Sequence, residues 1–136
     1  MDRDIDTDIP VHIQNNHVIN IATEKQLHNQ VVVWLRRLHP ELVIVPGRGE
    51  LQKTDDQHMD AWAKGYTKGQ ADLLILQSNG NFSGMCFEFK SPPGSGTLSD
   101  SQERFLFKMQ KSGYYVMVSN DYDEIIDTIV RYLANR

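Results

Sequence analysis

Gly69-Gln70-Ala71-Asp72-Leu73-Leu74-Ile75-Leu76, followed by Met85-Cys86-Phe87-Glu88-Phe89-Lys90, is the stretch on which the fold turns. Each phrase sets charged residues inside an apolar, β-prone run. Such runs read as strands, and a carboxylate within one is unfavourable unless something compensates it. Between them lies Ser78-Asn79-Gly80-Asn81, and Asn-Gly between apolar runs is the strongest short-range hairpin signal. An antiparallel strand pair is expected over 71–77 and 82–89.

Side chains alternate along a strand, so Glu88 and Lys90 share one face and Phe87 and Phe89 the other. The face of Asp72 depends on the hairpin register. A turn centred on Gly80 pairs positions whose numbers sum to 160 and sets Asp72 across from Glu88. A two-residue Asn79-Gly80 turn lowers the sum to 159 and puts Phe87 there instead. A site built from both acids therefore requires the longer turn or a bulge. Two facing carboxylates repel each other. A bound Mg²⁺ or Mn²⁺ converts that repulsion into a set of hard oxygen donors. Lys90 beside them would hold or polarise a water and stabilise charge developing on a phosphate. The competing reading, a solvated acid–lysine pair at a sheet edge, leaves Asp72 unexplained.

Working outward, Thr23 and Gln26 have capping-box spacing before a helix over 24–38, with Leu27, Val31, Trp34, Leu35 and Leu38 on one face. His39-Pro40 ends it. A short strand over 42–45 stops at Pro46-Gly47. The polar stretch 48–69 is open between a loop gripping a nucleic-acid backbone and a short helix around 57–64 with Trp62 tucked into the core. Ser99 and Gln102 repeat the capping-box spacing before a helix to Lys111, stopped by Gly113. Gln102, Phe105, Leu106 and Met109 share its buried face. A strand over 114–118 and a helix over 121–133 complete the chain, the latter with Ile125, Ile126, Ile129, Val130 and Leu133 inward. The order is that of an α/β layered domain with a central mixed sheet flanked by helices.

The 136 residues suit one domain, read as an acidic lead-in over 1–22 and a single domain over 23–136. Val11, Ile13, Val18, Ile19 and Ile21 leave the lead-in open between a tail, a docked strand and a self-association segment. Asp2, Asp4, Asp6 and Asp8 against Arg3 supply −3 of the formal net charge of −4, so the rest of the chain is near neutral and compatible with phosphate contact. No apolar run is long enough to span a bilayer, and no signal-peptide pattern is present. The lone Cys86 reads as a small buried hydrophobe, and an intracellular setting is expected. The five histidines show no metal-ligand spacing, and His28, one turn after Glu24, could approach the site but reads rather as a surface or capping residue. Gly94-Ser95-Gly96-Thr97 lacks the Gly-Lys-Ser/Thr ending of a P-loop.

Gly69-Gln70-Ala71-Asp72 with Glu88-Phe89-Lys90 resembles the core motif of the PD-(D/E)XK nuclease superfamily, on a restriction-endonuclease-like αβββαβ core. The nearer resemblance is to its VRR-NUC branch, the virus-type replication-repair nucleases, over about 24–118. Ala71 stands where that motif usually has proline. The resemblance implies a Mg²⁺- or Mn²⁺-dependent endodeoxyribonuclease. Asp72 and Glu88 would be metal ligands with the Phe89 carbonyl, and Lys90 the catalytic lysine. Glu24 would reach the site directly or through water, and Gln102 would orient Lys90 or a water. For Glu24 the alternative is a helix N-terminal acid favoured by the helix dipole, and for Gln102 a capping-box partner alone. Free-standing domains of this branch look like phage or viral enzymes that act as homodimers on branched DNA, which points to Holliday-junction or flap substrates and a role in DNA repair. Arg36, Arg37, Lys64, Lys68, Arg104, Lys108 and Lys111 are candidate phosphate contacts. The rival readings are a catalytically silent DNA- or protein-binding module and an RNA-directed nuclease.

Overall fold

Thr23 opens the first helix by the expected device. Its hydroxyl accepts the Gln26 N–H at 3.1 Å, and Gln26 Oε1 accepts the Thr23 N–H at 3.2 Å. In the computed structural model, which describes residues 21–47, 54–92 and 96–136, helix α1 then runs Glu24–Leu38. It is followed by β1 (Ile44–Pro46), α2 (Asp55–Ala63), β2 (Leu73–Ile75), β3 (Gly84–Phe89), α3 (Asp100–Lys111), β4 (Tyr114–Ser119) and α4 (Tyr122–Leu133). Expectations for residues 1–20, 48–53 and 93–95 lie outside the described residues. Among the described residues, no helix is long and apolar enough to cross a membrane.

The sheet has the order β1-β2-β3-β4. The first two pairings are antiparallel and β3–β4 is parallel, giving the mixed sheet read from the sequence. All six residues of β3 are buried, as a strand covered on both faces must be. Leu73, Ile75, Met85, Phe87 and Phe89 pack against α1 and α4. Cys86, with Ala71 and the half-buried Leu74 and Val116, meets Leu106, Phe105 and Met109 of α3. Along β3 the faces thus divide by residue parity, and the face that carries Glu88 is the one α3 covers.

The β2–β3 register pairs Leu73 with Phe87, Leu74 with Cys86 and Ile75 with Met85, all summing to 160. One step further the count slips to 159: the Asp72 N–H donates to the Phe87 carbonyl at 3.0 Å, while the Asp72 carboxyl accepts the Phe89 N–H and meets the carboxyl of Glu88. The tip follows a different count. The Asn79 N–H donates to the Phe82 carbonyl at 3.1 Å, so Gly80-Asn81 forms the loop, with Gly80 at φ +91°. Four steps on the β2 side then match three on the β3 side, a bulge-like slip that converts the tip register into the ladder register.

Asn79 holds this arrangement. Its Oδ1 accepts the N–H groups of Asn81 and Phe82 at 3.0 and 2.9 Å, and its Nδ2 donates to the Tyr132 carbonyl at 3.3 Å. The Tyr132 hydroxyl in turn donates to the Gln77 carbonyl at 2.6 Å. Asn79→Ala should lower unfolding free energy by about 2–3 kcal/mol, since it removes three hydrogen bonds at a buried position. Urea denaturation measures it, and a midpoint unchanged from wild type would show that the turn does not depend on this side chain.

Several packing expectations need correction. The stretch before β2 does contain a helix, α2, but Trp62 is 72% exposed and the neighbouring Ala61 is the buried residue. One position is about 100° around a helix, which suffices to exchange inside for outside. Leu38 and Val130 are exposed at the margins of their helices, whereas Thr128 and Tyr132 are buried in α4. β2 spans only three residues, because the slip occupies the rest of its run. His28 is half-buried, its ring 5.1 Å from that of Phe89, on the face opposite Glu88.

Candidate active site

The end of β3, the approach to β2 and the start of α3 deliver the candidate residues to one place. The slip at the end of the β2–β3 ladder leaves the Asp72 carboxyl against that of Glu88, and strand alternation puts Lys90 beside Glu88 on the face under α3. The Ser99 cap starts α3 where Gln102 can reach down to both. Gln102 Nε2 donates to Glu88 Oε2 at 2.9 Å, and its Oε1 lies 3.5 Å from Lys90 Nζ. Gln102 Oε1 also accepts the Ser99 N–H at 2.9 Å while its own N–H donates to Ser99 Oγ. The two readings of Gln102, cap partner and site residue, therefore describe one side chain.

Each acid is fixed differently. Asp72 is half-buried, and its Oδ2 accepts the Phe89 N–H at 2.8 Å. Glu88 is 2% exposed, and its Oε1 is buried without a hydrogen-bond partner. Burial pushes the Glu88 carboxyl up to about 8. The charge of Asp72 and a hydrogen bond shared with its carboxyl add to this, Lys90 opposes it, and Glu24 raises it slightly further. Two carboxylates cannot hydrogen-bond without a proton between them. The unpartnered Oε1 thus marks where a proton or a cation would satisfy both groups. Cys86, on the same face, has its thiol pushed up to about 12 by burial first and then by the charges of Glu88 and Asp72. It is an inert core residue.

These donors fit a divalent cation: two carboxylates, one fully buried and short of a partner, in a set made only of hard oxygen atoms. Among the described residues, no group of three or more His, Cys, Asp or Glu side chains is placed to hold a metal. Glu24 is exposed in the first turn of α1 and acts on Glu88 through its field. Lys90 also donates to the Thr97 carbonyl at 3.2 Å, which pins its ammonium beside the pair.

The basic candidates are more scattered. Arg36 and Arg37 lie in the last turn of α1, roughly 18 Å along its axis from Glu24. Lys64 pairs with Asp60 one turn earlier. Lys68 is exposed in the segment leading to Asp72. Arg104, Lys108 and Lys111 are exposed on α3, and the Lys111 ammonium sits 5.4 Å over the Phe107 ring. The exposed Phe107 and Met59 were not read from the sequence, because they interrupt otherwise polar helix faces.

The sequence model of the VRR-NUC domain matches residues 11–120. A solved structure described as a VRR_NUC domain protein superposes with a TM-score of 0.66, covering 83% of this chain and 89% of its own, at 22% identity. At that identity the likeness speaks for the fold. The comparison with curated proteins gave no match. The matched span takes in every strand among the described residues and the pair Asp72 and Glu88, and on that ground the chain belongs to the VRR-NUC domain family, with a function of nuclease type.

Proposed function

We propose that the protein is a Mg²⁺- or Mn²⁺-dependent endodeoxyribonuclease acting on branched DNA, Holliday junctions or flaps, as a homodimer. The observation that carries the chemistry is the buried, unpartnered Glu88 Oε1 facing Asp72. Asp72 and Glu88 would hold the ion with the Phe89 carbonyl, and Glu24 would contribute through a water. The ion, when bound, supplies Lewis-acid activation of water and charge neutralisation at the scissile phosphate.

The remaining work falls to side chains of this chain. Lys90 orients the attacking water and stabilises charge on the phosphoryl oxygens. Gln102 keeps Lys90 and Glu88 at a fixed separation, so neither must reorganise during the reaction. The backbone N–H of Phe89 locks one oxygen of Asp72 and leaves the other for coordination. Arg36, Arg37, Lys64, Lys68, Arg104, Lys108 and Lys111 would contact phosphates. The substrate shape and the dimer come from the family resemblance.

The test incubates labelled junction, flap, duplex and single-stranded DNA, and the corresponding RNA, with Mg²⁺, Mn²⁺ or EDTA. Cleavage of branched DNA is expected with either metal and none in EDTA. Lys90→Ala and Asp72→Asn should each lower the rate by about 10²–10³-fold. Absence of cleavage, or cleavage indifferent to both substitutions, would refute the proposal. Light scattering that finds only monomers, free and on DNA, would remove the dimer.

A further inference from the structure

Gly69 is the residue on which the first turn of α3 rests. Its φ is +82°, and a Cβ there would lie 2.3 Å from the Ser101 carbonyl carbon, 2.4 Å from its oxygen and 2.7 Å from Gln102 N. All three atoms belong to one backbone peptide, so no rotamer change relieves the overlap. Gly65, four residues earlier, has φ +105° but nothing within 4 Å of its would-be Cβ. Both positions need a left-handed backbone, and of the two only Gly69 also needs the missing side chain.

The peptide that lies on Gly69 is the one that carries Gln102. Its N–H donates to Ser99 Oγ at 3.2 Å, and the Gln102 side chain runs from there to Glu88 Oε2 at 2.9 Å. Relieving the overlap requires the peptide to retreat by about 1 Å, which takes a 2.9 Å bond beyond hydrogen-bond range. On its other side, Gly69 leads into a well-held segment. Ala71 is buried, and the Asp72 N–H and C=O are tied to Phe87 and Gly47. The strain cannot pass into the strand and must pass into the helix start.

We propose that Gly69 is a positioning residue for the nuclease site: its bare Cα lets the lead-in to Asp72 lie directly on the Ser101–Gln102 peptide and so sets Gln102 against Glu88 and Lys90. The proposal rests on the nuclease reading above. A displacement of about 1 Å in a reacting constellation lowers turnover by up to about 10²-fold.

The experiment measures kcat and KM with Mn²⁺ on a substrate that wild type cleaves, for Gly69→Ala, Gly65→Ala, Gln102→Ala and the Gly69→Ala/Gln102→Ala pair, alongside melting temperatures. Gly69→Ala should lower kcat about 10- to 100-fold with KM nearly unchanged. Gly65→Ala, which carries backbone strain alone, should keep wild-type turnover. In the Gln102→Ala background, Gly69→Ala should add less than about twofold, because the two act through one contact. Turnover of Gly69→Ala equal to that of Gly65→Ala, or the same loss with and without Gln102, would overturn the proposal. Should Gly69→Ala not fold, Ser99→Ala loosens the same peptide without a clash. Its loss in kcat should vanish in the Gln102→Ala background, and persistence there would count against the proposal. A wild-type protein that cleaves no nucleic acid with either metal overturns the nuclease reading and this one together. An active wild type with an indifferent Gly69→Ala overturns this one alone.

Discussion

Glu88→Gln should abolish metal-dependent cleavage, by at least about 10³-fold, and at the same time stabilise the metal-free protein at pH 9. Both effects have one origin. Glu88 is 2% exposed, and burial followed by the Asp72 charge makes its ionised form unfavourable. Glutamine keeps the volume and still offers an acceptor to Gln102 Nε2, whose bond to Glu88 Oε2 is 2.9 Å long. It carries no charge to be compensated, so the metal-free fold gains. It also carries no charge to attract a divalent ion, so catalysis is lost. Such a trade of stability against activity is expected where a site holds like charges together for function. Single-turnover cleavage in Mn²⁺ and thermal melts in EDTA measure the two halves. A variant that cleaves at the wild-type rate, or that melts lower than wild type at pH 9 in EDTA, would contradict the assignment of Glu88.

The second large effect is the pH dependence of the metal-free protein. The folded Glu88 carboxyl titrates at about 8, against the ordinary 4.5 expected when unfolded. The folded state therefore binds the proton more tightly. Its contribution to stability is complete below the ordinary carboxylate range and is lost as pH rises through about 8. At roughly 1.4 kcal/mol per unit, the loss is on the order of 5 kcal/mol between the two limits. Melting temperature in EDTA should thus fall from pH 5 to pH 9, and Glu88→Gln should flatten the curve. Mn²⁺ reverses the trend, because a cation at the pair replaces the proton: the stabilisation it confers should grow over the same interval. An EDTA curve in wild type that is flat over that interval would show that the two acids do not share a buried site.

Most of the fold was legible because local signals agreed with one another. Thr23, Gln26 and His39-Pro40 bracket α1 by capping and by proline, and both are chemistry of neighbours in sequence. Ser99 and Gln102 do the same for α3. The parity of Glu88, Lys90 and Phe89 follows from strand geometry alone. The register did not, since Asn79-Gly80 is compatible with more than one turn. What decides it is the Asn79 side chain, which accepts from Asn81 and Phe82 and is anchored to Tyr132, 53 positions away. No local pattern encodes that contact. Trp62 illustrates the same limit: a short helix was only one of two open readings there, and which side it buries depends on its neighbours in space. Glu24 likewise has a helix position that sequence gives and a reach toward Glu88 that depends on how α1 packs. Gly69 was visible as part of the motif, but its contact with the Ser101–Gln102 peptide exists only in the folded chain.

The central claim is that Asp72 and Glu88, whose carboxyls meet at the end of the β2–β3 ladder, hold one divalent cation. Crystals of the wild-type protein grown with Mn²⁺ and recorded at the manganese absorption edge test it most directly. An anomalous peak within bonding distance of both an Asp72 oxygen and Glu88 Oε1, absent in Asp72→Asn, is the predicted result. No peak between the two carboxylates, or one that persists in Asp72→Asn, would contradict it.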